Sequence, residues 1–282
     1  MNDISGKIVI VTGANSGMGL ASVTELARLG AHVIMVCRNQ TRGEAALKQA
    51  REDSGSMEIE LMTCDLGSLA SIRSFGAAFK EKYDRLDVLL NNAGVVTVKR
   101  ETTADGFEAM LGVNHLGHFL LTHELLELLL RSPQGRIVNL SSGAHKVGRI
   151  HFDDPGLTKG FNVVKGYAQS KLANILFTKE LARQLNNSPI TVNSVHPGAV
   201  STSLGVDRKS GFGKSVHKLL SPFFQTPLEG ARTAIYLATS KEVETVTGEY
   251  YIKCKPAKVS VRAADPQLAE RLWTWSEEQV GL

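Results

Sequence analysis

The chain has 282 residues, 43% hydrophobic and 21% charged, which excludes a peptide-like or disulfide-stapled scaffold and fits an ordinary globular protein. Its 32 Lys and Arg stand against 28 Asp and Glu, for a formal net charge of +4. The basic residues are scattered, so no nucleic-acid surface is expected. Cys37, Cys64 and Cys254 form no CxxC pair and no zinc spacing, and they read as reduced core residues.

The amino terminus, MNDISGKIVIVTG, runs straight into a strand, so neither a signal peptide nor a membrane span is expected, and a cytoplasmic location follows. The first strand is IVIVT at 8–12. After it come Gly13, Ala14, Asn15, Ser16, Gly17, Met18 and Gly19, then a helical pattern over 18–29. Glycines here allow a tight turn and close backbone approach, and the helix amino terminus offers N–H groups to a pyrophosphate. Gly13, Asn15, Ser16, Gly17, Met18 and Gly19 are therefore cofactor-binding candidates.

The second strand, HVIMVC at 32–37, ends at Arg38 with no carboxylate beside it. An acid there accepts hydrogen bonds from a cofactor ribose, whereas a guanidinium grips a 2′-phosphate. NADP(H) is thus expected in preference to NAD(H). A helix is predicted over 42–52 and a strand, IELMTC, at 59–64. Asp65 and Leu66 close that strand, with Asp65 placed to meet an adenine or to cap the helix predicted over 68–82. The fourth strand, LDVLLN at 86–91, is closed by Asn92, Ala93 and Gly94, small enough to pass beside a cofactor.

An apolar helix is predicted over 105–131. Its stretch from 119 to 130 carries Thr122, His123, Glu124 and Glu127 and is too short to span a bilayer, so it reads as buried. Asn114 is a poor helix former with an amide that wants partners, which suggests a functional or kinking role. His115 and His118 lack a third ligand at suitable spacing, so packing or hydrogen bonding is expected and no metal is assigned.

The fifth strand, RIVNLS at 136–141, brings Ser141 and Ser142 to the same sheet edge as the glycine turn. Tyr167 and Lys171, four apart on a helix predicted over 167–186, share one face. A phenol of pKa about 10 exchanges protons poorly near neutrality unless a cation stabilises its phenolate, which Lys171 is placed to do. The sixth strand, TVNSVH at 191–196, leads into HPGAVST, where the Val200 backbone and the Thr202 hydroxyl can meet a nicotinamide carboxamide. A helix is predicted over 227–239, a last strand at 249–253 and a short helix at 266–279. Residues 143–165 and 199–225 follow strand carboxyl ends and read as substrate loops, the second ending in the apolar run from Leu219 to Phe224. That run favours a lipophilic substrate. The fold implied is α/β: a doubly wound parallel sheet of Rossmann type, a three-layer single domain over 1–282.

Together the TGANSGMG turn, Asp65, NNAG, Asn114, the double serine, YAQSK and HPGAVST resemble the short-chain dehydrogenase/reductase family in order and spacing over almost the whole chain. The stretches VCRNQTRGEAAL, GVNHLGHFLLT, SSGAHKVGRIHFDD, SKLANILFTKELARQL and ERLWTWSEEQ resemble its retinol dehydrogenase-like branch, as does the long interval between Ser142 and Tyr167. The resemblance implies a catalytic tetrad of Asn114, Ser142, Tyr167 and Lys171. It also implies cofactor contacts at Gly13, Gly17, Gly19, Asp65, Asn92 and Thr202, with Lys171 holding the nicotinamide ribose and Asn114 a relay water. Hydride would pass between a nicotinamide and a small-molecule carbonyl or alcohol while Tyr167 exchanges the proton. Dimers and tetramers are common in that family, so a homo-oligomer is allowed by analogy alone. A sugar-nucleotide epimerase or dehydratase also resembles a Tyr-x-x-x-Lys protein, but its TGxxGxxG turn and longer chain differ from this one. A non-catalytic NADP(H) sensor should have lost part of the tetrad, and all four positions are present.

Overall fold

The computed structural model describes residues 4–198 and 226–282, so Val200, Thr202 and the loop predicted over 199–225 lie outside the described residues. Eight strands form one sheet in the order β3-β2-β1-β4-β5-β6-β7-β8. They are β1 (Ile8–Thr12), β2 (His32–Cys37), β3 (Ile59–Thr63), β4 (Val88–Asn91), β5 (Arg136–Leu140), β6 (Thr191–His196), β7 (Tyr250–Ile252) and β8 (Lys255–Pro256). All neighbours pair in parallel except β7 and β8. The order reverses between β1 and β4, the switch point at which helices leave to opposite faces and a crevice opens beyond the strand ends. The expected doubly wound α/β sheet is the fold observed.

Alternation along the strands divides the core. Val9 and Val11 face a cluster with Val33, Met35, Val88 and Leu90 under helices α1 (Gly17–Arg28), α2 (Gln40–Ser54) and α7 (Pro227–Thr239). Ile10 and Ile34 face the other way, toward α3 (Leu69–Lys82), α5 (Gly117–Leu130), α6 (Val163–Gln184) and α8 (Pro266–Val280). Because both faces are covered, the strands read as continuous apolar runs. Truncating Leu89, which has no exposed surface, to Ala is the kind of change that costs about 2–5 kcal/mol. Among the described residues no helix is long and apolar enough to cross a membrane.

Four details depart from expectation. The helix predicted over 105–131 does not begin until residue 109, because the Glu108 carboxylate accepts the backbone N–H groups of Met110 and Leu111, each at 2.9 Å, and caps it there. After the short α4 (Ala109–Leu111) the chain widens into a π-turn over Gly112–Leu116 before α5, a form that often marks functional positions. α6 starts four residues before Tyr167, capped by Asn162, whose Oδ1 accepts Lys165 N–H at 2.8 Å. Cys254 is not in the core: with Lys253 it forms the two-residue turn from β7 to β8, at φ 59° and 50°, the left-handed pair that antiparallel hairpins favour. Cys37 and Cys64 are buried as expected.

Candidate active site

A cleft of about 350 Å³ opens at the switch point. Of the expected cofactor residues, Gly13, Asn15, Ser16, Gly17, Met18, Gly19, Arg38, Asp65, Leu66, Asn92, Ala93 and Gly94 all line it. Gly13 turns at φ +64°, and a side chain there would lie 2.8 Å from the Ala93 Cα. A side chain on Gly19 would collide with the Gly13 carbonyl oxygen. These two glycines let β1, α1 and the chain after β4 converge more closely than any other residue permits. Ser16 occupies the N-cap of the 12-residue α1, but its side chain makes no capping bond and no acid stands in the first turn. The leading N–H groups of α1 therefore open onto the cleft with the positive end of the helix dipole behind them, which suits an anion.

Arg38 is exposed at the cleft rim, and Arg42 lines the same wall. Neither has a carboxylate partner among the described residues. Arg42 escaped the sequence reading, although the signal was there: Asn39 is a good N-cap, and its Oδ1 accepts Arg42 N–H at 2.9 Å, which starts α2 so that Arg42 falls on the cleft wall. Asp65 does not cap α3; Ser68 does so by accepting Ser71 N–H at 3.3 Å. Asp65 Oδ1 instead accepts Gly67 N–H at 2.9 Å, a local turn that holds its carboxylate beside the cleft. The converging glycines, the uncapped helix end and the two arginines fit a dinucleotide with its phosphates in this cleft.

The chain after β4 is braced from beneath. The Thr12 hydroxyl accepts Asn92 N–H and Ala93 N–H, each at 2.9 Å, and lies 2.9 Å from His118 Nε2. The opposite nitrogen, His118 Nδ1, is 3.1 Å from the Asn114 carbonyl, which can only accept, so the proton sits on Nδ1. Burial pushes this imidazole down to about 4, and it stays neutral. His115 Nε2 meets Ser276 Oγ at 2.9 Å, and its ring packs against Phe119 and Phe177. Both histidines are engaged in hydrogen bonding within the fold.

The four residues expected to act together come from three elements, Tyr167 and Lys171 sharing α6. Ser142 ends the stretch after β5 with its Oγ accepting Ala144 N–H at 3.2 Å, and its hydroxyl is the neighbour that pulls the Tyr167 phenol of α6 down in pKa. Ser141 points elsewhere, donating to the Lys171 carbonyl at 2.7 Å, which separates the two serines by role. Lys171 is buried, its Nζ 3.2 Å from the Leu140 carbonyl and 5.5 Å from the centre of the Tyr167 ring. Asn114 sits in the π-turn, where its Oδ1 accepts Val95 N–H at 2.7 Å and its Nδ2 donates to Val95 O and Ser170 Oγ, each at 3.1 Å. The Asn114 amide thus ties the chain after β4 to α6. At Gly94 a side chain would lie 3.4 Å from Asn114 Oδ1 and 3.8 Å from Lys171 Nζ, so the cofactor wall and the catalytic group meet there.

The electrostatics differ from expectation in one respect. Burial raises the Tyr167 phenol above its usual range, and the opposing pull comes from the hydrogen bond with Ser142. Lys171, assigned that pull from sequence, faces the Leu140 carbonyl, and burial pushes its ammonium down to about 8.

The family model for short chain dehydrogenases matches residues 7–211. Human retinol dehydrogenase 14 is 47% identical over 98% of this chain and 87% of its own length. Human retinol dehydrogenase 11 is 45% identical over 99% and 87%. Among solved structures, an uncharacterized protein from Mycobacterium paratuberculosis aligns at TM-score 0.80 and 34% identity, covering all of this chain and 96% of that one. An actinorhodin polyketide ketoreductase variant solved with NADPH aligns at TM-score 0.68 and 28% identity, over 89% and 96%.

Proposed function

Starting from the fact that the chain belongs to the short-chain dehydrogenase family and is an oxidoreductase of it, we propose that it interconverts a lipophilic carbonyl compound and its alcohol with NADP(H). The observation that carries this reading is the buried Lys171 Nζ 5.5 Å from the centre of the Tyr167 ring, at the point where Gly94 joins the cofactor wall to Asn114 and Lys171. The nicotinamide, when bound, supplies the hydride. Tyr167 then donates its phenolic proton to the carbonyl oxygen in reduction and takes it back in oxidation. Ser142 donates a hydrogen bond to the same oxygen and holds it in line. Lys171, charged below about pH 8, keeps a positive charge next to the proton-carrying phenol and toward the cofactor ribose. Asn114 spends its side chain on Val95 and Ser170, so it acts through geometry, fixing α6 against the chain after β4.

The cofactor preference rests on Arg38 and Arg42 at the cleft rim, with no acid at the end of β2, and on the ketoreductase relative that holds NADPH. A lipophilic substrate is supported by the relatives named for retinol, an apolar alcohol.

A series of straight-chain and isoprenoid aldehydes, each assayed with NADPH and with NADH, tests the reading. NADPH should be preferred, and kcat/KM should rise roughly fourfold per added carbon until the pocket is filled, since a buried methylene contributes about 0.8 kcal/mol. Turnover with no carbonyl or alcohol on either cofactor would refute the reductase reading. A flat chain-length series would refute the lipophilic part alone.

A further inference from the structure

We propose that His145 is a positioning residue for the Ser142–Tyr167 pair, through which the carboxyl-terminal segment around Ser260 sets the active-site serine. This rests on the reading of Ser142 and Tyr167 given above. His145 lies in the tight turn Gly143–Val147 directly after Ser142, with no exposed surface. Its Nδ1 is 2.7 Å from the Ser142 carbonyl oxygen, which can only accept. Its Nε2 is 3.3 Å from Ser260 N–H, which can only donate. The two contacts require the same tautomer, with the proton on Nδ1 and a bare Nε2. One neutral ring thus joins a main-chain acceptor to a main-chain donor 118 positions later in the sequence. Its edge packs on Tyr250 of β7 at 5.0 Å between ring centres, which leaves the imidazole a single orientation.

A second anchor lies three residues on. Arg262 Nη1 donates to the Gly148 carbonyl at 3.2 Å. A side chain at Gly148 would run into the Ala168 carbonyl, so the turn rests directly on α6, one residue past Tyr167. The turn carrying Ser142 is therefore clamped between the helix carrying Tyr167 on one side and the segment Ser260–Arg262 on the other. The Ser142 Oγ accepts Ala144 N–H at 3.2 Å within the same turn, so a shift of its backbone carbonyl changes its reach to the substrate oxygen. Reactions of this kind lose on the order of 10²-fold for a misplacement of about 1 Å.

His145→Phe keeps the ring and deletes both bonds, whereas His145→Gln keeps an amide that donates and accepts. Arg262→Ala, at the exposed anchor, loosens the clamp without touching the core. At saturating NADPH, His145→Phe should lower kcat about tenfold to hundredfold with the cofactor KM within about twofold of wild type. His145→Gln should recover most of that loss, and Arg262→Ala should lower kcat a few-fold with the same cofactor KM. If the Phe variant fails to fold, the Gln and Arg262 variants carry the test. Wild-type kcat in His145→Phe, no recovery in His145→Gln, or an equal fall of kcat and cofactor affinity would overturn the proposal. Long-range proton–nitrogen NMR reads the tautomer without any turnover: Nδ1 protonated and Nε2 bare is expected, and the reverse overturns the proposal. A wild-type chain inactive on every carbonyl would instead strike the reductase reading, leaving the NMR result to decide on His145.

Discussion

The two halves of the site, the cofactor cleft and the catalytic group that meets it at Gly94, are built in different ways. The half formed by the ends of β1 to β4 uses backbone: two glycines that permit close approach, the uncapped first turn of α1, and the loop after β4 hung from the Thr12 hydroxyl. The half formed by β5, α6 and the carboxyl-terminal segment uses side chains whose partners are far away in sequence, as with Asn114 to Ser170, Ser141 to Lys171 and His145 to Ser260. Binding a phosphate needs donors at a fixed surface, which a turn and a helix end supply locally. Moving a proton needs particular groups at particular distances, which only tertiary packing can supply. Substitutions should separate the two halves, the first acting on chemistry alone and the last on cofactor binding alone.

The largest effect should come from Tyr167→Phe. It removes one hydroxyl and leaves Ser142 its bond from Ala144 N–H, so the surroundings keep their partners. Loss of general acid–base catalysis should lower kcat about 10²–10⁴-fold. NADPH affinity, measured by quenching or enhancement of fluorescence, should hardly change. A Phe variant with near-wild-type kcat would mean that the proton comes from elsewhere and that the carboxyl-terminal half is not the chemical half.

A second substitution sets function against stability. Burial disfavours the charge of Lys171 and pushes its ammonium in the folded chain down from the usual 10.5 to about 8. The unfolded chain therefore binds the extra proton across that window, so this group makes stability rise with pH between those values. Below pH 8 both states are protonated and the burial cost stands, on the order of 3 kcal/mol at about 1.4 kcal/mol per pKa unit. Lys171→Met removes that cost, and the Leu140 carbonyl keeps its bond from Asn174 Nδ2 at 2.8 Å. The Met variant should be more stable than wild type at pH 7 by up to about 3 kcal/mol in urea, lose that advantage by pH 10 to 11, and turn over poorly. A variant destabilised at pH 7 would show that Lys171 holds the fold together, and the contrast between the halves would lose its clearest case.

The same contrast explains what could be read from the sequence. The strands, the glycine turn, Arg38 and the helix over 227–239 were legible because each is a local pattern: alternation or an apolar run, Gly spacing, a Pro-led helix start. The start of the helix carrying Asn114 was not, since it depends on a Glu108 side chain folding back on Met110 and Leu111 and on a π-turn that no periodicity announces. The early start of α6 was legible in principle at Asn162, an N-cap hidden inside a stretch that looked like loop. His118 is singled out by the sequence and His145 is not, and the roles of both required the partners Thr12, Asn114, Ser142 and Ser260, distant in sequence for at least one nitrogen of each. Of the two tasks open to Asp65, a cofactor contact and a helix cap, the chain gives the cap to Ser68 and leaves Asp65 at the cleft. Sequence shows what a residue can do; packing decides which partner it meets.

The smallest effect should fall wholly within the cofactor half. Arg38 is exposed, so a contact with a 2′-phosphate there would work partly through solvent and belong at the low end of the roughly 1.5–3 kcal/mol that a charge-assisted bond contributes, about tenfold in affinity. Arg42 lines the same wall and can take over part of the task. Arg38→Ala should therefore raise the NADPH Kd about tenfold, and Arg38→Ala with Arg42→Ala should raise it further. The NADH Kd should not move in either variant, because NADH has no phosphate for them to lose. Raising the salt concentration should narrow the wild-type preference for NADPH, since screening weakens exposed contacts first. Neither variant should change kcat at saturating cofactor, because Arg38 and Arg42 line the cleft beside β2 and α2, whereas Tyr167 is carried by α6. An unchanged ratio of NADPH to NADH affinity in the double variant would remove the 2′-phosphate reading, and a fall in kcat would mean that the two halves are coupled through more than Gly94, Asn114 and Lys171.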